Sequence, residues 1–251
     1  MLVASTKAAR RTTLSRRKLP PVPSSGVDTL AIIPTAWGVC GILWNNREDE
    51  DCSSAFAKRP ANPLLKRIIT PGLSVSELRQ FLTDASPGCL EVLRDRCGLY
   101  HPDLVPEWFA ELLHSLQSYY SGDLRDGSQP QFLDRWTYWR SRLDWSVVTP
   151  FQRQVLEIVA RIPCGLQLTY GQVAAKIGKP GASRAVGAAL GANPWPVLVP
   201  CHRVVGRGGT MTGFSAPGGV GAKRRMLDLE KTPGKTPGQT PGLFDEPGTG
   251  G

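Results

Sequence analysis

The segment NPWPVLVPCHRVVGRGG, residues 193–209, constrains this chain more than any other. A proline-rich entry leads into the apolar run Val197 to Val199, and Pro200, Cys201, His202, Arg203 and Val204 follow. A thiol therefore stands at the end of a buried stretch, beside an imidazole. Cysteine becomes a strong nucleophile where a neighbouring base or positive charge favours its thiolate, and His202 and Arg203 offer both. Adjacency alone does not make side chains converge, and an isolated Cys-His pair is more often structural than catalytic. The rest of the chain decides between those readings.

Upstream, TPFQRQVLEIVARIP (149–163) reads as a helix of about four turns. Thr149 can cap it, Pro150 suits the first helical position, and Phe151, Val155, Ile158 and Val159 form an apolar stripe. Thr169 and Gln172 fit a capping box for YGQVAAKIG, Lys179 to Ala182 form a Pro/Gly turn, and Ser183 caps RAVGAALGAN. Two short helices joined by a glycine-containing turn predict a helix-turn-helix, although an ordinary helical hairpin would look the same in isolation. The second helix presents Gly187, Ala188, Ala189 and Gly191, too small to read base edges but suited to close backbone approach. That favours a shallow minor-groove contact over major-groove readout.

Towards the N-terminus, TLAIIPTAWGVCGILW (29–44), broken by Gly38 and Gly41, predicts two short strands joined by a turn. Helical spacing follows in LSVSELRQFL (73–82) and in PEWFAELLHSLQSYYSG (106–122), where Trp108, Leu112, Leu116 and Tyr119 or Tyr120 share a face. The fold expected is an α+β N-terminal domain over 27–148, then a mainly helical C-terminal domain over 149–231 with a winged-helix-like helix-turn-helix and the cysteine. Residues 1–26 and the Thr-Pro-Gly repeats of 232–251 cannot bury enough apolar area to offset their ordering entropy. Both are expected to be disordered tails.

Charge points the same way as the helices. Of the net +9, residues 1–26 contribute six basic side chains and no acid, 27–149 carry twelve basic against sixteen acidic, and 150–230 carry ten against three. A localised positive excess suits a polyanion, because Lys and Arg displace counterions condensed on nucleic-acid phosphates. No apolar run approaches the roughly 18 residues that span a bilayer, and the N-terminus lacks a secretory core. A cytoplasmic monomer without membrane contact is expected. Cys40, Cys52, Cys89, Cys97, Cys164 and Cys201 form no CxxC pair, so reduced thiols are expected and neither zinc nor a disulfide framework is indicated. His101 and His114 read as surface or packing residues, and no metal or cofactor is expected.

The PCHRVV segment, preceded by Tyr170-Gly171 and the S-R-A-V-G helix and followed by TGFS, GG, Lys223 and LDLE, closely resembles the O6-alkylguanine-DNA alkyltransferase family. The likeness is specific over 149–230, weaker over about 27–148, and absent from both tails. It implies that Cys201 accepts the alkyl group, that His202 deprotonates it through a water, and that Glu230 holds the imidazole. Asn193 would brace the turn before the cysteine. Tyr170 would push on a phosphate and donate to the guanine, while Arg184 would enter the stack where the base had been. The backbone carbonyls of Cys201 and Val204 would accept from the exocyclic amine, and Ser215 would bond near O6. The implied partner is double-stranded DNA containing O6-alkylguanine. Where the family usually reads G-[FY]-S-G-G, this chain has Gly213, Phe214, Ser215, Ala216, Pro217, Gly218 and Gly219, two residues more.

A lesion-binding relative without chemistry would lack the thiol. A transcription regulator would show a polar recognition helix, and a cysteine hydrolase leaves Arg184 and the basic half unexplained. In the tail, Gln239, Leu243 and Phe244 loosely resemble peptides that bind bacterial sliding clamps, with departing spacing, and an accidental Leu-Phe pair is the plainer reading.

Overall fold

The computed structural model describes residues 28–45, 63–87, 90–91, 105–122, 135–211 and 213–231. The tails expected over 1–26 and 232–251, with Leu243 and Phe244, lie outside the described residues, as do His101, Cys52, Cys89 and Cys97.

Strands β1 (Asp28–Thr35) and β2 (Gly38–Asn45) form the antiparallel hairpin that the sequence predicts. Its turn falls at Ala36-Trp37, where Gly38 adopts φ +119° and Thr35 Oγ1 donates to the Gly38 carbonyl at 2.7 Å. Gly41 sits inside β2 instead. A Cβ there would come within 2.8 Å of Leu82 Cδ1 and 2.9 Å of Leu78 Cδ1, so its bare backbone lets helix α1 (Val75–Ala85) lie close on the sheet. Two short additions complete a sheet of order β3-β2-β1-β4, namely β3 (Leu64–Ile69), antiparallel to β2, and β4 (Leu90–Glu91), parallel to β1. Neither was expected from the sequence. In LLKRII two charges interrupt the apolar pattern, yet Lys66 simply turns outward to pair with Asp28 at 2.7 Å.

Both faces of the sheet are covered. Leu30, Leu43 and Ile69 pack on Leu78 and Leu82 of α1, while Ala31, Ile33, Cys40, Ile42 and Trp44 face the main core. Helix α2 (Glu107–Ser121) closes that second face with Trp108, Leu112, Leu116, Tyr119 and Tyr120, the stripe read from its spacing, and with Phe109 beside them. A five-residue helix α3 (Trp136–Arg140) and the 3-10 turn Trp145–Val147 lead into the second half.

There, α4 (Pro150–Val159) has the Thr149–Gln152 capping box and the leading proline, but it runs ten residues and not four turns. It ends at Val159 with Ala160 as its cap, and the chain turns through Arg161 and Ile162, which donate to the Ile158 and Val159 carbonyls. Strand β5 (Leu168–Thr169) precedes α5 (Tyr170–Lys176), and α6 (Ser183–Gly191) follows a turn in which Gly178 and Gly181 adopt φ +71° and +94°. Ser183 is the first helical residue and Ala182 the cap, so the expected serine cap is not used. Strand β6 (Val204–Val205) and α7 (Gly219–Leu229) complete the order. Among the described residues no helix is long and apolar enough to cross a membrane.

The expected boundary after Val148 coincides with the start of α4, but it separates no cores. Residues from β1, β2, α2, α4, α6 and α7 belong to one buried apolar cluster. The outer edge of β3 is also sealed by the second half. Ile68 N donates to the Pro194 carbonyl at 2.8 Å, and Trp195 Nε1 donates to the Leu65 carbonyl at 2.9 Å. Such a shared core unfolds as one unit. A single cooperative urea transition is therefore expected, and Trp195→Phe is expected to lower its midpoint by an amount equivalent to about 1–3 kcal/mol, the loss of a buried hydrogen bond. Two separate transitions, with only one shifted by the substitution, would show instead that the halves fold independently.

Candidate active site

The turn before the cysteine is held from both ends. Asn193 Nδ2 donates to the Val199 carbonyl at 2.8 Å, and its Oδ1 accepts from Trp195 N at 3.0 Å, so the side chain braces a loop whose residues 194–200 are all buried. Within it Val197 takes φ +75°, a conformation that a β-branched residue adopts only under constraint. The Asn193 bonds and the buried Val197 side chain supply that constraint. Cys201–Arg203 then form one 3-10 turn and not a strand, and β6 begins only at Val204. Parallel pairing of Leu168 with Val204 and Thr169 with Val205 brings the start of α5 alongside. The result is a cavity of about 620 Å³ in whose wall Cys201 meets Tyr170, Arg184, Leu190, Phe214 and Ser215.

His202 is fully buried, and its Nε2 lies 2.8 Å from Glu230 Oε1. Arg203 grips the same carboxylate through Nε to Oε2 at 2.7 Å and Nη2 to Oε1 at 2.9 Å, while its Nη1 donates to the Ile162 carbonyl. Burial disfavours the charge on Glu230, but His202 and Arg203, by charge and hydrogen bonds, hold its carboxyl well below the usual range. An ionised carboxylate only accepts, so the hydrogen of the His202–Glu230 contact belongs to Nε2. That fixes the tautomer: Nδ1 keeps its lone pair, and it is a buried atom without a hydrogen-bond partner in the protein. Burial pushes the imidazole down, against the pull of Glu230, so it is neutral at neutral pH.

Burial likewise pushes the Cys201 thiol up, opposed by the Asn193 side chain, by Lys223 and by nearby backbone N–H groups. The free thiol therefore keeps its proton until a base removes it. Arg203, expected to offer that thiol a positive charge, is turned to Glu230, and Lys223 of α7 supplies the charge instead. Lys223 is wholly buried, donates to the Val204 carbonyl at 2.6 Å and lies 3.5 Å from the Tyr170 hydroxyl. One lone pair of Val204 O is thus already engaged. Lys223 had only a place in the sequence resemblance, and a single lysine in GVGAKRRML gave no sign of burial. Tyr119 was read as part of a core stripe, yet its hydroxyl donates to Glu230 Oε1 at 3.0 Å.

On α6, Arg184, Ala185 and Ala188 are exposed on one face. Ala189 is not on that face. It is 3% exposed and packed in the core with Val186, so the expected groove contact by its side chain is excluded. Ala188 and Ala189 are alike in chemistry, and only the helical rotation tells them apart. Ser215 Oγ donates to the Gly191 carbonyl and ties the loop to the end of α6. The additional Ala216-Pro217 pair finds room at the bend before α1, where a Cβ on Gly72 would meet Pro217 Cβ at 2.8 Å. Among the described residues no group of three His, Cys, Asp or Glu could hold a metal, and Cys40, Cys164 and Cys201 form no disulfide.

Residues 150–232 match the family described as 6-O-methylguanine DNA methyltransferase, DNA binding domain. A methylated-DNA–protein-cysteine methyltransferase of Salmonella typhimurium is 58% identical over 82 residues, 33% of this chain and 47% of the relative. That of Mycolicibacterium paratuberculosis is 39% identical over 126 residues, 50% of this chain and 67% of the relative. At its strongest matches the chain thus spans about half the length of the curated relatives. Among solved structures, the O6-methylguanine methyltransferase of Mycobacterium tuberculosis superposes with a TM-score of 0.52 at 26% identity, covering 83% of this chain and 97% of the other. The OGT of that organism in complex with DNA gives 0.51 at 26%, covering 81% and 92%.

The buried cluster makes a signed prediction about pH. A carboxyl held below its unfolded value near 4.3 contributes stability that is complete above that pH and is lost as pH falls. His202, whose neutral form is favoured by burial, adds a loss in the same direction below about 6.5. Wild-type stability is therefore expected to fall steadily on acidification. Glu230→Gln is expected to cost about 3–5 kcal/mol at pH 7, since it leaves Arg203 buried and unpaired, and to flatten the fall below pH 4. Urea denaturation at a series of pH values measures both. Parallel curves for the two proteins would show that Glu230 is not the group responsible.

Proposed function

The chain belongs to the O6-alkylguanine-DNA alkyltransferase family, and we propose on that premise that it repairs DNA by moving the alkyl group of O6-alkylguanine onto Cys201. The observation that carries the reading is a protonated thiol in the wall of a cavity, next in sequence to a neutral imidazole keyed by Glu230 to present Nδ1. In the proposed step His202 Nδ1 takes the thiol proton through a water, and Sγ attacks the alkyl carbon. The S–C bond forms as the C–O6 bond breaks. The electron pair leaves on the guanine, which takes a proton delivered through Tyr170. The product is a thioether, which no residue of the site could hydrolyse, so each molecule acts once.

O6 lies within the duplex, so the nucleotide must first be extruded, at a cost of a few kcal/mol in stacking and pairing. Exposure of Arg184 near the start of α6, above a cavity that also holds Tyr170, suits it to fill the gap. The small exposed side chains Ala185 and Ala188 suit α6 to a minor groove. The carbonyls of Cys201 and Val204 and the Ser215 hydroxyl remain candidate contacts to the base, and Ser215 must exchange its bond to Gly191 to make one. The protein would work as a cytoplasmic monomer on double-stranded DNA, without cofactor or metal.

Incubation with an oligonucleotide carrying labelled O6-methylguanine is expected to leave at most one equivalent of label on the protein, mapped to Cys201, and Cys201→Ala is expected to abolish it. Label released to solvent would indicate a hydrolase, and label kept on the DNA a lesion-binding protein. Arg184→Ala separates extrusion from chemistry. Its activity is expected to fall far more on duplex substrate than on free O6-benzylguanine, which needs no flipping, and equal losses on both would remove the role given to Arg184.

A further inference from the structure

We propose that Tyr119 is a positioning residue of the His202–Glu230 pair, through which helix α2, in the first half of the chain, sets the orientation and basicity of the imidazole. Its catalytic meaning rests on the alkyl-transfer reading above. Tyr119 is wholly buried in the last turn of α2. Its hydroxyl donates to Glu230 Oε1 at 3.0 Å and lies 3.4 Å from His202 Nε2, which reaches the same Oε1 at 2.8 Å. Arg203 Nη2 also donates to Oε1, at 2.9 Å. One carboxylate oxygen thus accepts from three donors, and only the phenol comes from outside the second half.

A buried phenol needs an acceptor, but a main-chain carbonyl would satisfy it. Tyr119 instead takes the oxygen on which His202 depends. Burial pushes its own ionisation well up, with the Glu230 charge acting in the same sense, so it remains a donor across the working pH range. Each further donor draws charge from Oε1 and weakens its hold on an imidazolium. The groups around His202 are Glu230 and Lys223 at the end of α7 and within it, Arg203 in the same turn, Cys201 before it, and Tyr119 from α2, whose neighbour Tyr120 faces Cys201 and Cys40 instead. Glu230 alone favours the protonated ring, while Arg203 and Lys223 oppose it. Loss of the phenol proton therefore moves the imidazole in a known direction, upward.

Tyr119→Phe removes one oxygen and keeps the ring that packs against Tyr120. In the full-length protein, NMR titration of the His202 Cε1 proton is expected to show its midpoint raised. Single-turnover label transfer at pH 7 is expected to slow by about tenfold, because the imidazole loses alignment and this outweighs its raised basicity; the size is near the lower limit for a hydrogen bond to a charged acceptor. The acid limb of the rate should move with the titration. Incorporating 3-fluorotyrosine at position 119 strengthens the donor without changing the packing, and is expected to move the midpoint down. Unchanged midpoints in both proteins would overturn the proposal, as would a slower rate with an unmoved acid limb, which marks a merely structural hydroxyl. Absence of transfer by the wild type would defeat the alkyl-transfer reading instead, while the titration would still decide the coupling.

Discussion

Glu230 and Arg203 carry opposite charges where water cannot reach, and either one left alone would cost several kcal/mol. Neither can therefore move without the other, and between them they fix three things. The 3-10 turn is tied to the end of α7 through Arg203. The imidazole of His202 is held to one tautomer, because the carboxylate can only accept. And the chain near Ile162 is drawn in by Nη1 of the same guanidinium, which closes α4 against the site. The thiol itself takes no part in this cluster and remains on the cavity wall, where burial keeps it protonated. Reactivity and rigidity are thus assigned to neighbouring residues.

The first half of the chain is bound to this arrangement more tightly than a supporting domain needs to be. Its sheet offers the outer edge of β3 to the loop before Cys201, and its helix α2 places a phenol on Glu230. An unpaired strand edge invites association with other chains, and here the edge is occupied by residues 142–144 and 194–195. The strained Val197 sits within the same loop, so a backbone cost of about 1–3 kcal/mol is absorbed by contacts contributed from both halves.

Much of this was readable in the sequence where local rules dominate. The hairpin, the stripe of α2, the cap at Thr149 and the capping box at Thr169 depend on periodicity and on residues close in sequence, which a linear reading captures. The cysteine turn and Glu230 were named through resemblance, and the structure brings His202 and Glu230 together. What stayed hidden depends on partners distant in sequence. Lys66 and Arg67 disguised an edge strand whose charges needed only to face outward. Ala189 and Ala188 differ by one helical step and by nothing in chemistry. Tyr119 lies 111 residues from the carboxylate it serves, and its apolar ring satisfied the core pattern by itself.

Gly72 and the Ala216-Pro217 pair share one small volume. The bend at residue 72, with φ +138°, leaves no room for a Cβ because Pro217 is already there. Without these two residues there would be no proline at that place, and position 72 would be held to glycine by its positive φ alone. The loop beside the cavity wall and the remote bend are thus linked through one contact. The bend in the first half and the loop beside the cavity in the second therefore cannot change shape independently.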